Sequence, residues 1–295
     1  MMMRSVLLLA TAALLVGAAP AAKPLTPNDI VTQAPASAWR TIPSDDLLVL
    51  DLKSGGRVVV QLAPEFAPVH VANIRALARG KYWDGATIYR VQDNYVAQWG
   101  LNESDKPWPA GVTAKPPAEY TRPLKGLSVK PLGFPDPYAP RAGFVNGWPV
   151  AYSPRGGWAN LAHCYGSVGV GRDLSPDTGT GGELYAAIAP IRHLDRNIAV
   201  VGRVIDGIDK LSSLPRGTEA LGFYKEKSQY VPIVSVRLAS DMPAAERPSF
   251  EYLDTASASF VQYLHVRANR HDDFYIRPAG GVDLCNVQVP VRRKA

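Results

Sequence analysis

Two β-rich runs begin the patterned part of the chain. Residues 47–53 read LLVLDLK and residues 57–62 read RVVVQL, with Ser54-Gly55-Gly56 between them. Leucine and β-branched residues on both sides of a short glycine turn are typical of a β-hairpin. The pattern therefore predicts two paired strands at the start of the folded core.

A helical pattern follows the hairpin. Pro68 suits the first helical turn, and Gly80 suits the position just past the last one. The apolar residues between them recur at helical spacing: Val71, Ile74, Leu77 and Ala78. Alternating, β-branched residues return at 86–91, and the turn signal Asp93-Asn94 then precedes a further strand. The predicted order is strand, strand, helix, strand, loop, strand.

Residues 101–162 interrupt this pattern. Proline and glycine are dense, and no apolar period lasts more than a few residues. Disordered segments are poor in aromatic residues, yet this one holds many. They are Trp108, Tyr120, Phe134, Tyr138, Phe144, Trp148, Tyr152 and Trp158. We therefore expect a loop-rich insertion that packs on the core.

The β pattern resumes after the insertion. Strands are expected at 165–172, 184–189, 198–204 and 231–238, with a short helix at 206–211. Residues 239–295 form a C-terminal extension. In it, Phe260, Tyr263 and Leu264 indicate a helix, whereas 274–278 (FYIRP) and 284–292 (LCNVQVPVR) indicate β-like segments. The expected class is mainly β, with an α+β extension packed on the core.

The first 46 residues are of two kinds. The first 21 have the features of a cleaved signal peptide. These are Arg4, an apolar run from Val6 to Val16, and small residues around Ala19–Ala21. The run is shorter than the ~20 apolar residues of a spanning helix. We expect a signal peptide at 1–21, and hence a periplasmic or secreted protein without a membrane span. Residues 22–46 are polar and contain prolines, which predicts a linker or surface arm.

The charge, the histidines and the cysteines limit which ligands and covalent bonds we expect in this protein. The formal net charge is +6, but the basic residues do not form the aromatic-interleaved stripe of a nucleic-acid protein. The five histidines lack zinc-like spacing and no nucleotide-binding glycine motif is present, so we expect neither metal nor cofactor. Cys164 and Cys285 either form a disulfide, which export would permit, or remain buried free thiols. The sequence does not indicate an oligomeric state.

Three blocks of sequence resemble the cyclophilins, a family of peptidyl-prolyl cis-trans isomerases. IYRVQDNYVAQWG at 88–100 is similar to the family's active-site strand and loop, and 67–85 is similar to the preceding helix and approach segment. Residues 166–188 resemble the strands and loop of the opposite wall, and residues 193–211 resemble the next strand and short helix. The resemblance implies a closed eight-stranded antiparallel barrel with two helices over residues 47–238, interrupted by the insertion.

The resemblance also implies a binding groove at matching positions. Arg90 and Gln98 match the family outright and would be catalytic. Gln98 would hold either the substrate carbonyl or the arginine. The proline pocket would be lined by Tyr95 and Tyr185 in place of phenylalanines, Val96 in place of a methionine, and the matching Leu194. The rim departs from the family at Gly171 and Arg172 (an Ala-Asn pair), Glu183 (a glutamine), His193 (an aromatic) and Ile198 (a histidine).

These features lead us to expect a peptidyl-prolyl cis-trans isomerase that acts on X-Pro bonds of exported proteins. Its partners would be proline-containing polypeptides. The altered rim leaves an alternative open, namely a non-catalytic module that binds proline-containing peptides. In a third interpretation the insertion and the extension form an interaction surface for an envelope partner, and the barrel is a scaffold.

Overall fold

The protein is described by a computed structural model that covers residues 23–101 and 105–294. The predicted signal peptide, residues 1–21, lies outside the described residues. The helices are α1 (Pro27–Gln33), α2 (Pro68–Arg79), α3 (Ile208–Ser212) and α4 (Ala258–Ala268). The strands are β1 (Trp39–Thr41), β2 (Leu47–Leu52), β3 (Arg57–Leu62), β4 (Thr87–Val91), β5 (Val96–Gly100), β6 (Arg122–Pro123), β7 (Lys130–Pro131), β8 (Arg141–Val145), β9 (Trp148–Ser153), β10 (Trp158–Leu161), β11 (Ser167–Val170), β12 (Leu184–Ala187), β13 (Val200–Asp206), β14 (Val231–Leu238), β15 (Phe250–Leu253) and β16 (Val291–Arg293).

Eight strands close into a barrel in the order β11-β12-β5-β4-β14-β2-β3-β13, and β13 pairs back with β11. All neighbouring pairs are antiparallel. Because the sheet closes on itself, its strands present no unpaired edge. The prediction of a mainly β fold with a closed eight-stranded antiparallel barrel is confirmed, and α2 and α3 are the two helices of this region.

Helix α2 contributes one side to the barrel core. Val71, Ile74 and Leu77 are fully buried in the same apolar cluster as Leu48 and Val60 of the first hairpin. Burying a side chain of this size contributes roughly 1.5–3 kcal/mol to stability. The helical spacing seen in the sequence is therefore the spacing of the buried face.

The insertion begins as a strap along α2. Asn73 exchanges two hydrogen bonds with the backbone of Thr113, at 2.9 and 2.8 Å. At the start of the helix, the carboxylate of Glu119 accepts hydrogen bonds from the N–H groups of Val69 and His70, each at 2.9 Å. The N-cap residue itself makes no side-chain hydrogen bond. A carboxylate from the insertion thus satisfies the first helical N–H groups and complements the helix dipole.

The insertion continues as a five-stranded antiparallel sheet in the order β6-β10-β9-β8-β7. Its residues Val150 and Leu161 bury against Phe66 and Val200 on the outside of the barrel. The insertion packs on the core and is loop-rich, but it also contains this sheet, which the sequence analysis did not predict. The sheet was hidden because its strands are short and several contain proline, which obscures the period of two.

Residues 23–46 belong to a second hydrophobic core and are not a linker or surface arm. Strand β1 pairs with β15, and β15 with β16 of the extension. Ile30 and Trp39 are buried in one cluster with Phe144 of the insertion and with Phe260 and Leu264 of α4. The prediction failed because the few apolar residues of this segment pack against residues far along the chain.

The C-terminal extension is α+β, and α4 buries Phe260, Tyr263 and Leu264 as the spacing predicts. The β-like interpretation of 274–278 is wrong. This segment forms turns, and Phe274 and Ile276 are 83% and 96% exposed. Residues 284–292 contain a 3-10 turn at 284–286, and their strand, β16, begins only at Val291. The composition of these residues favours a β-strand, but a strand also needs a neighbouring strand with which to pair.

A disulfide bond joins Cys164, two residues after the insertion, to Cys285 of the extension. A cavity of about 490 Å³ adjoins it, between the barrel, the insertion and the extension, with Trp148, Arg203 and Tyr263 in its wall. Both cysteines lie in the second hydrophobic core, so the disulfide joins parts of the chain that already pack together.

No helix in residues 23–101 and 105–294 is long and apolar enough to cross a membrane.

Reduction of the disulfide should destabilise the protein. The cysteines are 121 residues apart, and opening so long a loop lowers the free energy of unfolding by about 2–5 kcal/mol. Urea unfolding with and without reductant measures this difference. The double variant Cys164→Ala/Cys285→Ala is the control and should be insensitive to reductant. Equal midpoints for the oxidised and reduced wild type would contradict the expectation.

Candidate active site

Strands β4 and β5 place Arg90 opposite Gln98. In their antiparallel register Ile88 faces Trp99 and Arg90 faces Gln98, so that Tyr89 is an extra residue on β4. A bulge of this kind changes the direction of neighbouring side chains. As a result, both Tyr89 and Arg90 reach the side chain of Gln98.

Three neutral oxygens hold the guanidinium group of Arg90. Nε donates to the carbonyl oxygen of Leu221 at 2.7 Å, Nη1 to Oε1 of Gln98 at 2.9 Å, and Nη2 to Oε1 of Gln92 at 2.6 Å. Burial lowers the pKa of Arg90 from its ordinary value, but an arginine stays charged. Since arginine has five N–H donors, the described residues leave two of them for another acceptor.

Aromatic rings flank Arg90. Its Cζ lies 5.6 Å from the ring centroid of Tyr95 and 5.4 Å from that of Phe223, within the range of a cation–π interaction. His193 stacks on Tyr95 at 5.8 Å, and Phe223 stacks on Tyr89 at 5.9 Å. These five planar side chains form a continuous series of contacts, which restricts the orientation of the guanidinium.

Gln98 connects Arg90 to a carboxylate without bringing the two charges into contact. Its Nε2 donates to the hydroxyl of Tyr89 at 2.6 Å, and that hydroxyl donates to Oε2 of Glu183 at 2.6 Å. The other oxygen of Glu183 accepts from the N–H of Leu101 at 2.9 Å. Burial, and then the charge of Glu183, raises the pKa of Tyr89, so the phenol remains a donor. The chain fixes the Gln98 amide with its oxygen towards Arg90.

An apolar surface adjoins Arg90. Val96 and Tyr185 are buried in one cluster, against which Tyr95, Leu194 and Ile198 pack while remaining partly exposed. Apolar walls beside a few fixed polar groups are the usual composition of a small binding site. The cluster therefore offers the kind of surface that a proline ring needs.

The hydroxyl of Tyr185 is anchored by a buried histidine. It lies 3.1 Å from Nε2 of His163, whose Nδ1 lies 3.0 Å from Oδ1 of Asp195. Burial raises the pKa of Tyr185. Burial also acts to raise the pKa of Asp195, but the hydrogen bond from His163 and the charge of Arg192 outweigh it and leave that pKa lowered. A Cβ at position 169 would lie 2.2 Å from the Tyr185 oxygen, so Gly169 makes room for the ring.

Comparison with known families decides the assignment. The family model described as cyclophilin type peptidyl-prolyl cis-trans isomerase/CLD matches residues 48–238. The chain belongs to this family. It is a cyclophilin-type peptidyl-prolyl cis-trans isomerase, which agrees with the barrel and with Arg90 and Gln98 in one site.

Individual relatives are distant in sequence. A probable peptidyl-prolyl cis-trans isomerase of Brucella suis biovar 1 (strain 1330) is 25% identical over 179 residues, which cover 60% of this chain and 74% of the relative. Peptidyl-prolyl cis-trans isomerase B of Bacillus subtilis (strain 168) is 25% identical over 166 residues, 56% of this chain and 88% of the relative. Cyclophilin AquaCyp293 from Hirschia baltica shares the fold, with a TM-score of 0.69 and 24% identity over 92% of this chain and 98% of its own. The shared fold thus extends beyond the barrel.

Four of the rim residues that the sequence analysis singled out lie in or beside this site. A Cβ at Gly171 would be 3.3 Å from Nε2 of Gln98, so this position borders the site directly. Arg172 turns to the edge, where Nε donates to the carbonyl oxygen of Asn197 at 3.2 Å and Cζ lies 5.9 Å from the ring of Tyr120. The insertion therefore borders the predicted groove at Arg172. Glu183 and His193 lie within the contacts described above.

Among residues 23–101 and 105–294, no group of three or more His, Cys, Asp or Glu is arranged to hold a metal ion. The two buried histidines, His70 and His163, face the carboxylates of Glu119 and Asp195 at 2.7 and 3.0 Å. Their ring nitrogens are therefore already in contact with protein groups.

The sequence analysis did not find Tyr89, Gln92, Leu221 or Phe223. A regular strand would point Tyr89 away from the side of Arg90, and the bulge that redirects it leaves no mark on the apolar pattern. Leu221 and Phe223 lie in a loop that is 131 residues from Arg90 and has no periodicity. Gly222 does signal a turn there, but a turn signal does not say which strand it approaches.

Replacing Tyr89 by phenylalanine should weaken the site. The change removes the hydroxyl between Gln98 and Glu183 and should lower the free energy of unfolding by about 1–3 kcal/mol. Because Gln98 is then free to rotate, kcat/KM on an X-Pro peptide should fall by roughly three- to tenfold. Chemical unfolding and an isomerase assay measure the two effects. Tyr138→Phe, in the insertion, is the matched control, and a Tyr89→Phe variant as active and stable as this control would contradict the network.

Proposed function

We propose that this cyclophilin isomerises X-Pro bonds of exported proteins and that Arg90 stabilises the twisted prolyl amide. The observation that carries the proposal is the setting of Arg90. Neutral acceptors and two rings orient its guanidinium, two N–H groups are left over, and an apolar surface adjoins it. This combination suits a substrate that presents a proline ring beside an amide nitrogen.

The chemistry of prolyl rotation explains why an arginine is useful. Rotation must break the amide resonance, across a barrier of ~18–20 kcal/mol. In the planar amide the nitrogen lone pair is delocalised, whereas in the twisted amide it becomes a hydrogen-bond acceptor. A charged donor aimed at that nitrogen therefore binds the transition state more strongly than the ground state, which is the requirement for catalysis. No covalent bond is made or broken, so no nucleophile or general base is needed.

The surrounding residues would make this donor more effective. Gln98 keeps Nη1 of Arg90 in place, so the guanidinium need not reorganise when the amide twists. Val96, Tyr185 and Leu194 would hold the proline ring against an apolar wall. Excluding water there strengthens the electrostatic interaction between Arg90 and the nitrogen.

Substitution of Arg90 tests the catalytic role. We expect Arg90→Ala to lower kcat/KM in a protease-coupled or NMR exchange assay by about 100-fold or more, as loss of a transition-state donor does. Arg90→Lys keeps the charge but loses the planar fork, and it should recover only part of the activity. Arg141→Ala, an exposed arginine on β8, is the matched control and should retain wild-type activity.

Two outcomes would contradict the catalytic role. Wild-type turnover no faster than that of Arg90→Ala would exclude catalysis by Arg90. If the wild type bound the peptide without accelerating exchange, the protein would instead be a non-catalytic module for proline-containing segments. Peptide binding should therefore be measured on the same samples.

The proposal of exported substrates rests on the N-terminal sequence and the disulfide. Residues 1–21 have the charge, apolar run and small residues of a cleaved signal peptide. The Cys164–Cys285 bond is of a kind that persists in oxidising compartments. Both features support a periplasmic or secreted location.

Cell fractionation with intact-mass analysis checks the location. We expect the mature protein in the periplasmic or secreted fraction, beginning near residue 22 and two hydrogens lighter than its reduced form. A variant without residues 2–21 should remain in the cytoplasm. Recovery of the full-length chain from the wild-type cytoplasm, with two freely alkylated thiols, would contradict export.

A further inference from the structure

The loop 219–223 reaches over β4 and contacts Arg90 through an unusual backbone. Leu221 has a φ of +59° and Gly222 a φ of +79°, both left-handed. A left-handed conformation is uncommon for a bulky L-residue and costs roughly 1–3 kcal/mol. It directs the carbonyl oxygen of Leu221 to Nε of Arg90 at 2.7 Å. The strained residue is thus one that touches the catalytic arginine.

The loop is held in this position by backbone hydrogen bonds. Gly217 donates to the carbonyl oxygen of Val91 at 2.9 Å, and Tyr224 donates to that of Tyr89 at 3.1 Å. Gly222 approaches β4 so closely that a Cβ there would lie 2.5 Å from Cα of Gln92. The loop therefore needs glycine at position 222. Its close packing on β4 fixes its position relative to Arg90.

Neither the backbone nor the packing accounts for a leucine at position 221. Glycine adopts a left-handed conformation without the steric cost, and asparagine does so more readily than leucine. The Leu221 side chain is 65% exposed, so its burial compensates little of that cost. Phe223, two residues on, presents a partly exposed ring that stacks on Tyr89 and faces Arg90. An apolar surface thus continues past Arg90 from the proline-binding cluster.

We propose that Leu221 and Phe223 form a subsite for an apolar residue that flanks the proline of the substrate. The inference rests on the proposed function, since it places the prolyl amide at Arg90. Consecutive Cα atoms are 3.8 Å apart, so the neighbour of a proline bound beside Arg90 lies within reach of the groups that flank this arginine. The Leu221 carbonyl ties the subsite to Arg90, so both engage the same peptide.

Host–guest peptides test the subsite. The peptides Ala-Ala-Xaa-Pro-Yaa-Ala carry alanine, leucine or glutamate at one flanking position at a time, and NMR gives both Kd and the exchange rate. For the wild type we expect a leucine at one of these positions to improve Kd and kcat/KM by about five- to tenfold over alanine. In Leu221→Gly, which suits the left-handed backbone, the ratio between the values for the leucine peptide and those for the alanine peptide should fall to less than twofold.

A matched control separates the side chain from the backbone. Lys81 also has a left-handed φ, +51°, but it is an exposed residue after α2, and none of the Arg90 contacts described above involves it. Lys81→Gly should therefore keep the preference for leucine. Leu221→Asn is a second test variant. Asparagine adopts the left-handed conformation more readily than leucine does, and this variant should lose the preference for leucine peptides as Leu221→Gly does.

The outcomes distinguish this inference from the proposed function. An unchanged leucine preference in Leu221→Gly, or an equal loss for leucine and alanine peptides, would overturn the subsite while leaving catalysis intact. A preference that depends on Leu221 in binding but brings no accelerated exchange would support the subsite and refute catalysis. A wild type that binds none of the peptides would overturn both.

Discussion

A positive charge held by neutral oxygens is the constraint on which the site depends. Among the described residues, Arg90 donates to two glutamine amides and one backbone carbonyl and pairs with no carboxylate. A carboxylate partner would satisfy the charge in the ground state and reduce what a twisted amide could gain from it. The neutral acceptors orient the group and leave its charge uncompensated, and the burial that lowers its pKa is the cost of this arrangement.

The rest of the site maintains this condition. Glu183 is the nearby carboxylate, but Tyr89 and Gln98 stand between it and Arg90 in a chain of hydrogen bonds. The bulge at Tyr89 makes this chain possible, because it lets two successive residues of β4 reach one glutamine of β5. Glu183 can therefore lie near Arg90 without pairing with it, since its oxygens are engaged by Tyr89 and by the N–H of Leu101.

Local patterns predicted the elements that have a clear apolar period or a turn residue at their ends. The strand at 57–62, the helix at 68–79 and the strand at 231–238 have the bounds that periodicity and turn residues indicate. The sheet of the insertion could not be predicted in this way, because its strands are short and several contain proline. The packing of residues 23–46 could not be predicted because their partners are distant in sequence. The residues of the site also fall into a group that local sequence predicted and a group that it did not. Arg90, Tyr95 and Gln98 lie in one motif, whereas the contact with Leu221 depends on a loop whose position only the closed barrel determines.

The second core is connected to the site through the segment that enters β11. His163 contacts the Tyr185 hydroxyl of the apolar cluster, and the next residue, Cys164, is bonded to Cys285 of the extension. Arg192 pairs with Asp195, the partner of His163, and also with Asp136 of the insertion at 2.9 Å. These groups are buried, where an ionic group that loses its partner is costly, so the arrangement resists partial disruption. The insertion and the extension therefore help to determine the position of Tyr185, even though none of their described residues supplies one of the Arg90 contacts given above.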